Sequence, residues 1–502
     1  MLKKLKNLTL STTALLLAVA VVFILNYVAV KLPLRHDLTD EKEFTLSPAT
    51  KKILGTLTDR LTIKLYYSKD LPPQLTEIRD NVADTLAEFK AAAVKPVTIE
   101  DADPDSSELK EQETIALGIT PLQLNVIEKD KRELKKAYMG LALYYQDRKA
   151  VIPVLAQVEN LEYDLALQVL KLSQKDLPKV GVILPADDAK FGLLLQVLQE
   201  LVEPVAMTAN DKTLTTQKIN TLLIVAPQDL APDFSKSLDT LLANGTNVMV
   251  FAGRTAVSDT LTPSNLTTGL EDWLSGKGID ISAKVLLDTH QNAQAGFQAG
   301  MMQVYVPYPF WVKAHGVDLN EQHPITAHLE EVLLPWTNVI QSSAEESAWT
   351  LTSLISSSRT SFLQEDGKTD VGPQYIDSMT TLPALASYPL AVVLENKNEK
   401  TFGKVFLTAN SNLLQDNFLQ QAPANAVFFQ NAVEYASWGE NLIGIRSRGQ
   451  TARPLADISE SAKTWIKWGN IVGAPAVAIF LGLIFLLVAK KKRDVLIREI
   501  LS

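Results

Sequence analysis

Five polar residues follow three apolar segments near the middle of the chain, and their chemistry suits a small polar ligand. They are Asp187, Asp188, Gln228, Asp229 and Arg254. Each follows a segment expected to be a strand, and open α/β sheets bind ligands at the carboxyl ends of their strands. We therefore expect a crevice that could capture a glycan, a peptide or a lipid. The alternative is that these residues form solvated loop tips, because loops are polar by default.

Motifs for catalysis are absent from the sequence. The chain has no cysteine, which excludes thiolate catalysis, disulfides and cysteine-bound metals. It also lacks a G-x-S-x-G elbow, an H-E-x-x-H helix, a Rossmann glycine motif and a phosphate-binding P-loop. His323 and His328 lie five apart, which is poor spacing for one helix face, so a surface loop is favoured over a metal site. We expect no catalytic, cofactor-binding or metal-binding residues, and hence a protein that is not an enzyme.

An aromatic stretch interrupted by prolines, Val304–Trp311, could serve a second purpose. Its aromatic side chains could anchor a binding partner at an exposed surface. They could equally pack in the core beneath a loop. The sequence leaves both interpretations open.

The elements that would position the crevice are short apolar strands alternating with helices. The expected strands are Val180–Leu184, Thr221–Ala226, Val248–Ala252 and Ala283–Leu287. A helix over Phe234–Ala243 ends at Asn244-Gly245, a favourable C-terminal cap. Fully apolar strands between helices indicate a parallel sheet covered on both faces.

The preceding region has the order β-α-β-α-β-β-α, which resembles a thioredoxin-like domain. Leu122–Ile127 and Leu141–Tyr145 are expected to form its hairpin, with the charged turn between Lys129 and Glu133. Pro121 lies where that fold places a cis-proline. Without a Cys-x-x-Cys motif this region could not exchange disulfides, so we expect a scaffold.

Both ends of the chain carry uncharged apolar runs long enough to span a bilayer. A cleaved signal peptide is the alternative for the first run, since Ala18-Val19-Ala20 resembles a cleavage site, but the run continues apolar to Val30. Lysines flank the outer end of each run, at Lys3 to Lys6 and at Lys490 to Lys492. Positive flanks stay in the cytoplasm, so we expect a two-pass protein of the inner membrane with its main domains periplasmic.

Charge and topology restrict the partners further. The net charge is −9 although both ends are basic, so the middle of the chain is strongly acidic. An acidic surface argues against binding of nucleic acid. The short cytoplasmic ends cannot hold a nucleotide-binding fold, so ATP-driven work would require another subunit.

Several segments resemble a known family, the auxiliary component of ABC transporter systems related to the gliding-motility type. RHDLTDEKEFTLSPATKKIL after the first run is similar to the family's own segment at that place, and LTSLISSSRTSF resembles its Ser/Thr-rich strand. In the closing segment the positions that match the family pattern are Asn410, Asn412, Asp416, Asn417, Asn425, Phe428 and Asn431. One departure is Ala409-Asn410-Ser411, where the family pattern has a Gly-Asp pair, so an acidic side chain is missing.

The resemblance implies an α/β fold, with the thioredoxin-like domain followed by a larger domain of the class I glutamine amidotransferase type. It implies no catalytic residue, because the enzymes of that fold use a cysteine nucleophile and this chain has no cysteine. It also implies an ABC-type permease and a cytoplasmic ATPase as partners. The expected organisation is residues 1–10 cytoplasmic, 11–30 transmembrane, 31–176 thioredoxin-like, 177–445 amidotransferase-like, 446–467 juxtamembrane, 468–489 transmembrane and 490–502 cytoplasmic.

Overall fold

The computed structural model describes most of the chain between residues 45 and 473. The gaps are residues 72, 129–130, 156–159, 212, 259, 300–301, 328, 343–347, 365–369, 374, 376–382, 400, 440–444, 446–462 and 465–466. The chain divides into two compact units, residues 1–450 and residues 451–502. In the second unit, the described residues include a short π-helix at Gly469–Gly473.

The first region, whose elements run from Pro48 to Ser173, begins with a helix that the sequence predicts well. Ser47 precedes Pro48, and its hydroxyl oxygen accepts a hydrogen bond from the Thr50 N–H at 3.0 Å, as expected of a helix cap. The helices of this region are α1 (Pro48–Gly55), α2 (Pro73–Ala92), α3 (Glu108–Ala116) and α4 (Leu161–Ser173). The strands are β1 (Leu61–Tyr67), β2 (Val97–Ala102), β3 (Leu122–Glu128), β4 (Lys131–Ala137), β5 (Met139–Tyr145) and β6 (Arg148–Ile152).

Four of these strands form a sheet in the order β2-β1-β5-β6. Strand β1 runs parallel to β2 and antiparallel to β5, and every second side chain of β1 is buried. The predicted hairpin is wrong, because β3 pairs with β4 and β5 pairs with β6. Lys131 to Glu133, predicted to belong to the turn, instead begin β4, which lies in a separate two-stranded ribbon. The Thr120–Pro121 peptide bond is trans, contrary to the expected cis-proline.

The second region contains a seven-stranded sheet in the order β19-β21-β22-β10-β9-β7-β8. Its strands are β7 (Lys179–Ile183), β8 (Glu203–Ala206), β9 (Thr221–Val225), β10 (Asn247–Phe251), β19 (Trp349–Ser356), β21 (Pro389–Asn396) and β22 (Val405–Thr408). The five strands from β22 to β8 run parallel. The parallel sheet is therefore confirmed. Ala283–Leu287 is the exception, because the strand there pairs with a different partner outside this sheet.

The helices of this region are α5 (Gly192–Leu201), α6 (Pro232–Ala243), α7 (Glu271–Ser275), α8 (Asp416–Gln421) and α9 (Pro423–Trp438). Smaller sheets lie between β10 and β21 in the sequence. Their strands are β11 (Thr255–Val257), β12 (Pro263–Asn265), β13 (Ile279–Ile281), β14 (Leu286–Asp288), β15 (Asn292–Ala299), β16 (Met302–His315), β17 (Glu331–Pro335), β18 (Ile340–Ser342) and β20 (Ser361–Leu363).

The core lies on both faces of the large sheet. In β10, Val248 and Val250 belong to one buried apolar cluster, whereas Met249 and Phe251 belong to the other. Successive side chains of a strand point to opposite faces, so a fully apolar strand requires cover on both sides. Helix α6 contributes to the cluster of Val248, and α9 contributes to the cluster of Met249. This arrangement is the one that the apolar strands predict.

In the described part of the chain no helix combines the length and the apolar character that crossing a bilayer requires. The predicted span at 11–30 lies outside the described residues, as does most of the span at 468–489. The predicted domain boundary after residue 176 falls between α4 and β7 and stays a prediction.

Candidate functional site

Strands β7, β9 and β10 are adjacent and parallel, so their carboxyl ends meet at one edge of the large sheet. The loops that follow them carry the five residues singled out from the sequence. The chain leaves β7 toward β8 on one side and returns to β9 on the other, so the sheet reverses its winding direction between β7 and β9. Such a switch point is where open α/β sheets bind ligands. The strand order thus brings the three loops to the edge where a ligand would be expected.

Four of the five candidate side chains at this edge are exposed, whereas the fifth, Arg254, contacts other residues of the protein. Asp187, Asp188, Gln228 and Asp229 are exposed. Asp187 lies 3.8 Å from the Lys190 ammonium, an ion pair within its own loop. Solvent-exposed ion pairs of this kind contribute little to stability, between about 0 and 1 kcal/mol. These four residues therefore have the environment of solvated loops.

Arg254 is half-buried and is held by its own region of the fold. Its main-chain N–H donates to the Asn338 side-chain oxygen at 2.7 Å, and its guanidinium donates to the Ile281 carbonyl oxygen at 3.4 Å. Its Nε lies 3.8 Å from a Glu271 carboxylate oxygen, which is an ion pair but too long for a hydrogen bond. Within the described part of the chain, Arg254 pairs with Glu271 and not with the aspartates of the other two loops.

Glu271 is the charged partner that the sequence did not reveal. Its two carboxylate oxygens accept hydrogen bonds from the main-chain N–H groups of Thr268 and Gly269, at 2.9 and 2.8 Å. Burial alone would raise the pKa of Glu271, but these hydrogen bonds outweigh burial and hold its pKa below the ordinary value. The carboxylate therefore fixes the turn before α7 and keeps Arg254 in place.

Replacing Glu271 by glutamine is expected to lower the free energy of unfolding at pH 7 by about 1 kcal/mol, because the amide oxygen accepts one of the two hydrogen bonds without charge and the amide NH2 group cannot accept the other. A lowered folded-state pKa stabilises the fold above the unfolded pKa, and this stabilisation is lost as the pH falls through the folded value. Urea unfolding of the full chain in mild detergent should therefore show the difference from the unsubstituted chain at pH 7 and a smaller one at about pH 3.5. The exposed Glu399→Gln serves as control; an equal difference at both pH values would contradict the role of the Glu271 charge.

The neighbouring half of the sheet edge is closed by a loop, residues 335–338. Asn338 is fully buried, and its amide nitrogen donates to the Thr255 hydroxyl and to the Lys284 carbonyl oxygen, each at 3.1 Å. The Pro335 carbonyl oxygen accepts hydrogen bonds from the side chains of Asn410 and Asn412, at 2.7 and 3.2 Å. These polar groups satisfy one another at the carboxyl ends of β10 and β22, so this half of the edge is filled by the protein itself.

The residues that match the family pattern near the chain's end also have structural roles. The Asp416 carboxylate accepts from the main-chain N–H groups of Gly192 and Leu193, at 3.2 and 2.9 Å, and so satisfies the first turn of α5. The Asn431 amide donates to the Ile325 carbonyl oxygen at 3.0 Å. No periodic signal in the sequence indicates that Asp416 meets a helix more than 220 residues earlier.

His323 and part of the aromatic stretch take part in aromatic packing. The His323 ring packs against Tyr435 with ring centres 5.1 Å apart, and His328 lies outside the described residues. Among the residues that the structure describes, no group of three His, Asp or Glu side chains could hold a metal ion. The aromatic stretch combines both interpretations, because Tyr308 and Phe310 are buried whereas Val304 and Tyr305 of the same strand are exposed.

Comparison with known proteins places this architecture in context. A protein of Borreliella burgdorferi, described only as uncharacterized, is 22% identical over 477 residues, covering 89% of this chain and 92% of that protein. Among solved structures, the mmIFT52 N-terminal domain aligns with 52% of this chain and 96% of its own length, with 11% identity and a TM-score of 0.35. A GMP synthase component from Thermoplasma acidophilum aligns with 55% of this chain and 96% of its own length, with 10% identity and a TM-score of 0.25.

Family models match both regions of the chain. A domain of unknown function matches residues 40–144. A model described as an ABC-type uncharacterized transport system matches residues 177–432, which are more than half of the chain and contain the whole large sheet. The chain therefore belongs to this auxiliary family of ABC-type transport systems.

Proposed function

We propose that the protein is a non-catalytic, membrane-anchored accessory subunit of an ABC transporter of the gliding-motility type, acting outside the cytoplasm with a separate permease and ATPase. The observation that carries the proposal is the family match over residues 177–432. The likeness to a relative of similar length extends over 89% of this chain, so the resemblance is not confined to that region.

The proposal of a non-catalytic role rests on the chemistry of the side chains. We infer a thioredoxin-like fold for the first region, because β1 and β2 are parallel and the β5–β6 hairpin and a helix follow them. We infer an amidotransferase-like fold for the second region from the doubly wound parallel sheet. Enzymes with either fold commonly use cysteine, and this chain has none. The polar residues at the sheet edge are solvated or engaged in structural contacts.

The proposed anchors are the uncharged runs at the two ends, with both termini in the cytoplasm and the main domains in the periplasm. The second run, residues 468–489, contains Gly469 and Gly473 near its start, four residues apart. A methyl group added to either glycine would meet nothing within 4 Å among the described residues. Small residues at this spacing allow two membrane helices to approach closely. This end of the second anchor therefore offers a contact surface for a permease helix.

We expect the full chain, expressed at its native level and solubilised in mild detergent, to co-purify with an ABC-type permease and its ATPase. Replacing both Gly469 and Gly473 by leucine should reduce the recovered permease about tenfold, because the larger side chains separate the helices. The control is Ala478→Leu, which adds bulk to the same uncharged run outside the pair of glycines. Quantitative mass spectrometry of the purified complex measures the ratio of permease to this chain.

Three results would each contradict one part of the proposal. Isolation of the chain without a permease or an ATPase would remove the transporter role. Resistance of the chain to protease in intact spheroplasts, with digestion only after lysis, would remove the periplasmic placement of the main domains. Equal recovery of permease with the glycine variant and the alanine variant would place the contact elsewhere on the chain.

A further inference from the structure

A pocket lies away from the sheet edge, between the first sheet and the segment that leads to the second region. Its volume is about 420 Å³. Strand β6 is the edge strand of the first sheet and forms one wall, and α4 with the residues after it forms the other. Pockets that bind small molecules generally have volumes of about 300–1,000 Å³, so this one is large enough for a ligand.

The polar lining of this pocket is cationic. The lining includes Arg148 and Lys149 from β6, and Lys171 and Lys175 from α4 and the segment after it. Two neutral amides, Gln168 and Gln174, complete the polar lining, and no carboxylate contributes to it. The chain as a whole carries a net charge of −9, so four cations without a lining carboxylate are a local reversal of its charge.

Two of the four cations are held by main-chain carbonyl oxygens. The Arg148 guanidinium donates to the Gln174 carbonyl oxygen, and the Lys171 ammonium donates to the Glu200 carbonyl oxygen. Both acceptors are neutral. Within the described part of the chain, none of the four makes an ion pair with a carboxylate, whereas the nearby Lys179 pairs with Glu203 at 3.2 Å.

Two features of the fold offset only part of this positive charge, namely the carboxyl end of α4 and the Glu200 carboxylate. The carboxyl end of α4 favours cations, but a helix end carries only about half an elementary charge. Burial lowers the pKa of Lys171, and the Glu200 carboxylate opposes this effect in part. The folded protein thus holds a partly buried ammonium beside three other cations, an arrangement that an anion in the pocket would stabilise.

We propose that this pocket binds a ligand bearing phosphate groups, with Arg148, Lys149, Lys171 and Lys175 around the phosphates. Guanidinium and ammonium groups are the side chains that bind phosphate oxygens most strongly. Gln168 and Gln174 would contact the uncharged part of the ligand. The ligand could be a free phosphorylated molecule or a lipid headgroup, since both present the same phosphate chemistry. The proposal does not depend on the transporter role.

Calorimetric titration of the full chain in mild detergent tests the proposal with two probes, inorganic pyrophosphate and glycerol 3-phosphate. We expect saturable binding of at least one probe, with a Kd of about 0.1 mM or lower at low ionic strength, weakening as salt is added. Tighter binding of pyrophosphate would identify a soluble polyphosphate-like ligand. Tighter binding of glycerol 3-phosphate would identify a lipid headgroup.

Reversing the charge of two lining residues provides the decisive comparison. Lys149 and Lys175 are exposed, so Lys149→Glu with Lys175→Glu should leave the fold intact and weaken binding at least about tenfold. The matched control is Lys90→Glu with Lys218→Glu, which changes the net charge equally at two other exposed lysines. Absence of saturable binding of both probes at about 5 mM, or equal weakening by the two double variants, would overturn the proposal.

Discussion

Replacing Glu434 by alanine is expected to lower the free energy of unfolding by about 3 kcal/mol, because the substitution removes a buried acceptor from a buried tyrosine. Glu434 lies in α9 and has no exposed surface, and its carboxylate accepts a hydrogen bond from the Tyr163 hydroxyl of α4. Tyr163 is itself 5% exposed. The loss combines this hydrogen bond with the packing of the glutamate's methylene groups.

A double-mutant cycle with Tyr163→Phe measures this contact directly. We expect Tyr163→Phe to cost about 1–2 kcal/mol and the double variant to cost less than the sum of the two single changes, because both remove one interaction. Urea unfolding of the full chain in detergent, followed by tryptophan fluorescence, gives the free energies of unfolding of the four proteins in the cycle. Glu399→Ala removes an exposed glutamate and serves as control. Strict additivity of the two changes would show that this contact contributes nothing.

The contact matters for the proposed function because α4 contacts the two described helices that lie near the proposed anchors in the sequence. On one side, the Glu162 carboxylate accepts from the Ser47 N–H at 2.7 Å and from the Thr50 hydroxyl at 2.5 Å, at the start of α1. On the other side, Tyr163 contacts α9. Helix α1 is the first described helix after the first predicted span, and α9 is the last long helix described before the second. Helix α4 therefore connects α1 with α9 through polar side-chain contacts.

The sequence predicted the elements whose evidence is local. Ser47-Pro48 marks the start of α1, and Asn244-Gly245 marks the end of α6, because caps depend on a few adjacent residues. The strands β7, β9 and β10 and their parallel arrangement were also predicted, because a run of apolar residues is likewise a local signal. The β3–β4 ribbon was not predicted, because the charges of Lys131–Ala137 resemble a turn when the pairing partner is unknown. Strand pairing depends on contacts that periodicity does not record.

The candidate sites also combine features that local sequence predicts with features that depend on tertiary contacts. The strand order was enough to place the three loops at one edge of the sheet, but not to show that Arg254 pairs with Glu271, a residue in a later helix. The cationic pocket was also missed, because Arg148 and Lys171 are 23 residues apart in a chain whose overall charge is negative. Their proximity depends on how α4 packs against β6, which is a tertiary contact.

Replacing Asn425 by alanine is expected to have the largest effect on stability, lowering the free energy of unfolding by about 4 kcal/mol. Asn425 has no exposed surface. Its side-chain oxygen accepts from the Leu333 N–H at 2.9 Å, and its nitrogen donates to the carbonyl oxygens of Leu333 and Leu413 at 2.9 and 3.2 Å. Leu333 lies in β17, whose described strand partner is β16, so the amide takes the place of a second strand.

Alanine at this position would leave three main-chain groups buried without a partner, and each such group costs about 1–3 kcal/mol. Asn425→Asp should be at least as damaging, because it keeps the acceptor, loses both donors and adds a buried charge. Urea unfolding of the full chain in detergent measures both variants, with Asn398→Ala as an exposed control expected to change the free energy by less than about 0.5 kcal/mol. If Asn425→Ala lowered the free energy of unfolding by less than about 1 kcal/mol, water would have replaced the amide. The contact between α9 and β17 would then not require this side chain.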